Sequence, residues 1–422
     1  MHRTPLLLAA VWAGCSPDAN APLPGTSPVT DSAGVRVVDL GDAPLDVVPR
    51  LVLGPEPDQV IRSGEGDASA VLHDVRDVEL LPQGRIAVAN GSGNDILVFD
   101  SAGERGATWG GTGDGPGEFR SLDWLAVLPP DTLVAGDRSL RRVTFFNAAG
   151  QYARSFGTAD ALYRESNPIP PVPVGLLADG SLVGAAYSQP DPVPGSERPA
   201  VEVVAIPSSA DTVLAIGTWP GEEVAIIQDD GFLEITQPPF GRRLHLAATA
   251  DGVWIADDDR WEARKYSAEG ELRMIVRSSA GSGLVTDEIL EAFISDRYRD
   301  AAEGPALEEM KEDLREIARH TTTPSFGMIV GRTDGGVAVA EFGLGTASPR
   351  TWITVQPDGT VAAVELPAGL DVKRWGPDWV LAVVRDSLDR EEIHLYRIRG
   401  ATESAALSRR DVNKTRQLVM FS

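Results

Sequence analysis

The chain has 422 residues, 42% hydrophobic and 24% charged, with 43 glycines and 31 prolines. That mixture fits a packed globular protein of many short strands joined by tight turns. A formal net charge of −24 argues against a nucleic-acid binder, which must neutralise phosphates with Lys and Arg, and fits a solubilising acidic surface.

The N-terminus comes first in chain order. Arg3 opens a short apolar run, Leu6 to Ala13, too short to span a bilayer. Trp12-Ala13-Gly14-Cys15 and Ser16 follow, then a Pro/Gly/Ser-rich stretch to about Ser32. Cys15 is the single cysteine, so no internal disulfide is open to it in an exported chain. The segment resembles a bacterial lipoprotein signal, with Trp12 where an aliphatic residue is usual. The resemblance implies a signal peptide over 1–14, lipidation of Cys15 and a flexible linker over 15–33. No later segment is long and apolar enough to cross a membrane, so membrane contact is expected through the lipid alone.

Three stretches then read as copies of one unit: Val88 to Glu104, Val134 to Gln151 and Ile255 to Glu271. A unit of roughly 40–50 residues with several short strands means a β-propeller or a similar array. The first turn of each unit is expected at Pro82-Gln83-Gly84, Pro129-Pro130-Asp131, Asp179-Gly180, Asp251-Gly252, Asp334-Gly335 and Gly376-Pro377-Asp378. A second turn is expected at Ala102-Gly103, Ala149-Gly150, Ser208 to Asp211, Glu269-Gly270 and Asp358-Gly359. The last unit therefore lacks an outer strand, and Gly34 to Leu40 has nothing of its own to pair with. The expectation is an all-β, six-bladed β-propeller over 34–400, closed by that N-terminal strand, because closure removes exposed edges.

Between the fourth and fifth units the period changes to a helical one. Thr286 is placed to cap a helix with Asp287 and Glu288 in its first turn and Ile289, Leu290, Phe293 and Ile294 on one face. A second helix begins near Pro305, with Leu307, Met310, Leu314 and Ile317 at helical spacing. This small helical insertion, 285–320, precedes blade 5. Residues 189–195 read as a long loop. After Gly400 the chain turns polar and basic, with Arg409, Arg410, Lys414 and Arg416, and a flexible tail is expected over 401–422.

The repeated stretches resemble NHL-type repeats, and Gly110-Gly111-Thr112-Gly113-Asp114-Gly115-Pro116-Gly117-Glu118-Phe119 resembles the glycine-rich connection of that family. With the lipoprotein-like start and the insertion, the chain is similar to six-bladed propeller lipoproteins of Gram-negative bacteria, over roughly residues 34–400. That likeness implies a fold and implies no single activity. It implies a location at the bacterial cell envelope, lipid-anchored at the outer membrane or periplasmic face; a secreted or soluble periplasmic protein is the alternative.

Chemistry is sought where first strands converge. NHL-like lyases use a zinc site with several histidines; here only His73 and His245 stand near the starts of such strands, and with Asp74 or Asp77 they could hold a metal across a channel. Asp74, Asp77 and Asp123 offer hard oxygens for calcium, as in lactonase-like propellers. No cofactor is expected; Ca or Zn is the alternative. Asp257-Asp258-Asp259 occupies a turn and needs no more than turn formation to explain it. The glycine-rich linker lacks the Gly-Lys-Ser/Thr ending of a phosphate loop, and no Gly-x-Ser-x-Gly elbow occurs. Trp109, Trp124 and Trp261 are expected in the core between sheets. The leading expectation is a monomeric, non-enzymatic, envelope-anchored propeller binding a protein, peptide or glycan on one face. The alternative is a metal-dependent hydrolase or lyase using the central channel.

Overall fold

The computed structural model describes residues 29–41, 48–62, 72–158, 171–208, 213–229, 232–279, 282–299, 301–345, 349–386 and 388–400. The expected signal 1–14, Cys15, most of the linker and the tail 401–422 lie outside the described residues.

The chain is an all-β, propeller-like array of small antiparallel sheets with two helices. It begins with a hairpin, β1 (Val29–Ser32) and β2 (Val35–Asp39), then two short strands, β3 (Arg50–Leu53) and β4 (Gln59–Arg62). β5 (Val75–Leu80), β6 (Ile86–Asn90), β7 (Asp95–Phe99) and β8 (Arg105–Gly110) form a four-stranded sheet in sequence order. β9 (Leu122–Leu128), β10 (Thr132–Asp137), β11 (Arg142–Phe146) and β12 (Tyr152–Gly157) form another. The third contains β13 (Val172–Leu176) and β14 (Leu182–Tyr187). After a detached β15 (Gly195–Glu197), it continues with β16 (Ala200–Ile206) and β17 (Leu214–Pro220). β15 pairs instead with β18 (Val224–Asp229), which pairs β19 (Phe232–Thr236).

β20 (Leu244–Thr249), β21 (Gly252–Asp257), β22 (Glu262–Tyr266) and β23 (Leu272–Arg277) make the fourth. The helices Asp287–Arg297 and Pro305–Glu316 precede β24 (Met328–Gly331), β25 (Val337–Ala340), β26 (Arg350–Val355) and β27 (Val361–Leu366). The last sheet is β28 (Asp371–Trp375), β29 (Trp379–Arg385) and β30 (Glu391–Gly400).

Second strands are buried on both faces because the sheets stack face to face. In β6, Ile86 and Val88 pack with Trp379, Leu381 and Val383 of the last sheet, while Ala87 and Ala89 pack with Leu122 and Leu133 of the next. A period of two therefore hides inside a continuous apolar run. The expected first turns all fall between first and second strands. At the second turns Gly103, Gly150, Gly270 and Gly359 take φ between +78° and +90°, where a Cβ would be strained. Phe119 closes the glycine-rich connection: it is fully buried, and Arg142 donates to the carbonyls of Asp114 (2.9 Å), Gly115 (3.1 Å) and Glu118.

An N-terminal strand does pair with the last sheet, but it is not the expected one. β4 runs antiparallel to β30, from Gln59↔Leu395 to Arg62↔Glu392. Residues 34–40 lie elsewhere: β2 runs parallel to β23, from Arg36↔Met274 to Asp39↔Arg277. Core complementarity decides between them. Val38 and Leu40 enter a cluster with Trp254, Phe326 and Val361, whereas Ile61 enters one with Trp379, Leu381 and Ile393.

The helices occupy the expected place. Thr286 accepts from the Ile289 amide at 3.3 Å as the first cap, and the acidic first turn suits the helix dipole. The second helix packs through Leu307 and Leu314; Met310 stays half exposed at 50%, outside that narrow stripe.

Candidate functional site

The first strands lie against one another in succession: β5 on β9, β9 on β13, β13 on β20, β20 on β24, β24 on β28 and β28 on β5. Several carry a bulge near their start. In β5 the register shifts between Val75 and Asp77, in β9 it leaves Asp123 without an opposite residue, and in β28 it shifts between Val372 and Arg374. Such bulges re-aim the side chains that follow. Here they bring Asp77, Glu79 and Arg374 together.

Arg374 bridges both carboxylates, at 2.6 Å to Asp77 Oδ2 and 2.6 Å to Glu79 Oε2, and also donates to the Leu125 carbonyl. Asp77 further accepts from the Val78 amide (2.9 Å, Oδ1) and the Leu125 amide (2.9 Å, Oδ2). One guanidinium thus ties three sheets. Burial pushes the Glu79 carboxyl up, and Arg374 only partly opposes that, with Asp77 adding to the rise. Burial works against the charge of Arg374, but the two carboxylates outweigh it and hold the guanidinium charged. Two carboxylates against one cation leave an excess of negative charge, and proton uptake by Glu79 is the cheapest relief.

The expected site residues do not converge. His73 is exposed; Asp74, at φ +58°, pairs with Arg76 at 2.8 Å. Asp123 is the half-buried extra residue of its bulge. His245 Nε2 stands 3.1 Å from Asp258 Oδ2 and its ring packs on Phe326. Among the described residues no three His, Cys, Asp or Glu side chains are placed to share a metal ion. The aspartate run also has more than a turn to do. Asp257 caps the Asp259 amide (3.1 Å) and pairs with Arg198 (2.9 Å), while Asp259 pairs with Arg242 (3.1 Å). Trp109 and Trp261 are buried in the core, and Trp124 packs partly buried against another cluster. Glu79 and Arg374 were not anticipated; the i, i+2 acidic pair Asp77/Glu79 among Val75, Val78 and Leu80 of a first strand was their one sequence signal.

The inserted elements form a second arrangement. A four-stranded antiparallel meander returns the chain to the end it entered, so connections between sheets and turns between second and third strands share one end. β15 lies in the β14–β16 connection, β18 and β19 between β17 and β20, and the helices between β23 and β24. All therefore emerge from that end, and they join there. Glu223 accepts from Ser196 in β15 (2.6 Å), from the Arg242 amide (3.0 Å) and pairs with His320 after the second helix (2.7 Å). Burial pushes the Glu223 carboxyl up, but those hydrogen bonds outweigh it and hold it below the ordinary glutamate range. Phe240 meets Phe293 at a tilt (4.8 Å between ring centres) and Phe342 edge-on (6.2 Å) in a cluster with Leu290, Ile294 and Leu314.

No protein-family model matches the chain, and no curated protein matches it. Solved structures do. A candidate exported protein of Bacteroides fragilis is similar at 12% identity and a TM-score of 0.46, covering 86% of this chain and 99% of its own. A DUF4221 family member from Bacteroides vulgatus is 12% identical at a TM-score of 0.41, covering 83% of this chain and 99% of its own. Virginiamycin B lyase from Staphylococcus aureus is 8% identical at a TM-score of 0.38, covering 80% of this chain and 98% of its own. No helix among the described residues is long and apolar enough to cross a membrane.

Proposed function

We propose that this chain is a non-enzymatic binding scaffold, a closed six-bladed ring of NHL-like repeats held at a bacterial envelope by lipidated Cys15. The partner, a protein, peptide or glycan, engages the end that carries the inserted elements. The observation that carries this reading is the gathering of β15, the β18–β19 hairpin and both helices at one end, fixed by Glu223 and the Phe240 cluster. Rigid sheets that pre-organise elaborated loops suit recognition. The succession of first strands, β5 through β28 and back to β5, supports ring closure, and β4 beside β30 supports an N-terminal contribution to it. The carboxylates at the centre are already spent on Arg374, which favours binding over acid–base chemistry there.

The test is site-specific photocrosslinking of the full chain in envelope preparations. The crosslinker stands at Val193 or Met310 on the elaborated end, or at Gln83 or Asp131 in turns of the opposite end. A product shared by Val193 and Met310 and missing at Gln83 and Asp131 is expected. Products from Gln83 and Asp131 alone would overturn the reading.

A further inference from the structure

We propose that the free edge of β19 docks an extended peptide carrying alternate apolar residues and a lysine or arginine opposite Glu234. This rests on the binding-scaffold reading and names its partner class. Among the described residues β19 pairs only with β18, and the sheet's other side is taken by β15. Its described side chains are open to solvent on both faces: Leu233 is 44% and Ile235 55% exposed, and Glu234 is exposed on the opposite face.

What sets this edge apart is flatness together with exposure on both faces. The outer strands β8, β12, β17 and β23 each meet their neighbour with a register shift, and β27 is covered by β3. Bulges and covers are how proteins blunt edges that would template pairing. β18 and β19 instead run through five pairs, Ala225↔Thr236 to Asp229↔Phe232, without a shift. Two other flat edges, β20 and β24, are first strands that lie against neighbouring first strands, and the remaining ones are shorter and more polar: β1 is Val-Thr-Asp-Ser, β15 is Gly-Ser-Glu, and β4 ends in Arg62. β19 contains no proline, glycine or basic residue. An added strand would complete a four-stranded sheet, with its apolar residues continuing the Leu233–Ile235 stripe.

Charge selects the occupant. A second copy paired about Glu234 would set two carboxylates opposite each other on chains that each carry −24, which is destabilising. A cationic residue at that place in an incoming strand is favoured, and the hairpin connection adds Asp229-Asp230 in sequence.

The experiment uses the full chain and two capped nine-residue probes of alternating threonine and valine, one with lysine at the centre and one with glutamate. Fluorescence anisotropy gives affinity and hydrogen exchange locates the peptide. The lysine probe is expected to bind more tightly and to slow exchange at the 232–236 amides. Glu234→Lys, an exposed change, is expected to weaken the lysine probe about fivefold and strengthen the glutamate probe about fivefold. Binding without protection of 232–236, or indifference to Glu234→Lys, would overturn the proposal. So would tighter binding by a chain ending at Gly400, which would assign the edge to residues 401–422, or competition by self-association at high concentration. Crosslinks that persist at Val193 and Met310 while both probes ignore β19 would sink this proposal alone.

Discussion

Arg374→Met removes the single cation that faces Asp77 and Glu79. Both carboxylates are nearly buried, at 10% and 8% side-chain exposure, while Arg374 keeps 22%. Removing one partner of a buried pair costs about 3–5 kcal/mol, and the residual exposure of Arg374 puts the expectation near the low end, at about 3 kcal/mol. Unfolding entropy of about 2.1 cal/mol/K per residue amounts to about 0.9 kcal/mol/K for a chain of 422 residues, so the melt should fall about 3 °C. The loss must also depend on pH. Glu79 is an acid whose folded pKa lies above its unfolded value, so its contribution is most favourable at low pH and is lost as pH rises through the folded value. Without Arg374 two lowering influences vanish and that value climbs further. Calorimetry of the variant and parent at pH 5 and pH 8 should therefore show a large gap at pH 8 that narrows at pH 5. Glu79→Gln keeps a partner for the guanidinium and should be near neutral at pH 8. An Arg374→Met loss under about 1 kcal/mol, or one independent of pH, would refute an uncompensated buried charge as the cause.

Gly150→Ala combines a left-handed φ of +78° with a Cβ falling inside the Trp109 indole; about 2–4 kcal/mol should be lost in urea titration, and an unchanged midpoint would contradict the packing described. Glu223→Gln should loosen the helices and remove an acid-side decline. The Glu223 pKa is depressed, so its stabilisation is present above the unfolded value and is lost as pH falls through the folded one. Exchange of the 287–316 amides at pH 4 and pH 7 would show it, and equal pH dependence in parent and variant would speak against it. Melts with calcium, with zinc and with chelator should coincide. A metal held at a hundredfold over its Kd would add about 2.7 kcal/mol, and such a shift would favour the metal-dependent hydrolase or lyase reading and direct attention to His73, Asp74, Asp77 and His245.

The sequence by itself determined the grammar: turns at Asp-Gly and its equivalents, the helices behind Thr286 and Pro305, and the apolar runs of second strands. These are local, since a positive φ, a cap or a period of two is written within a few residues. Partners between distant segments were another matter. Val35–Asp39 and Gln59–Arg62 are both short strands with two or three apolar residues, and nothing within them says which edge each will cover; the clusters around Trp254 and around Trp379 decided it. The central cluster escaped for the same reason. Asp77 was singled out as a candidate ligand, but its charge is met by Arg374, 297 positions away, and the His245 ring stands 3.1 Å from Asp258 in a turn. A backbone bulge and a neighbouring sheet aim those side chains, and neither leaves a pattern in the residues it moves. Tertiary structure alone could show that Asp74 and Asp77, two of the candidate ligands, face arginines.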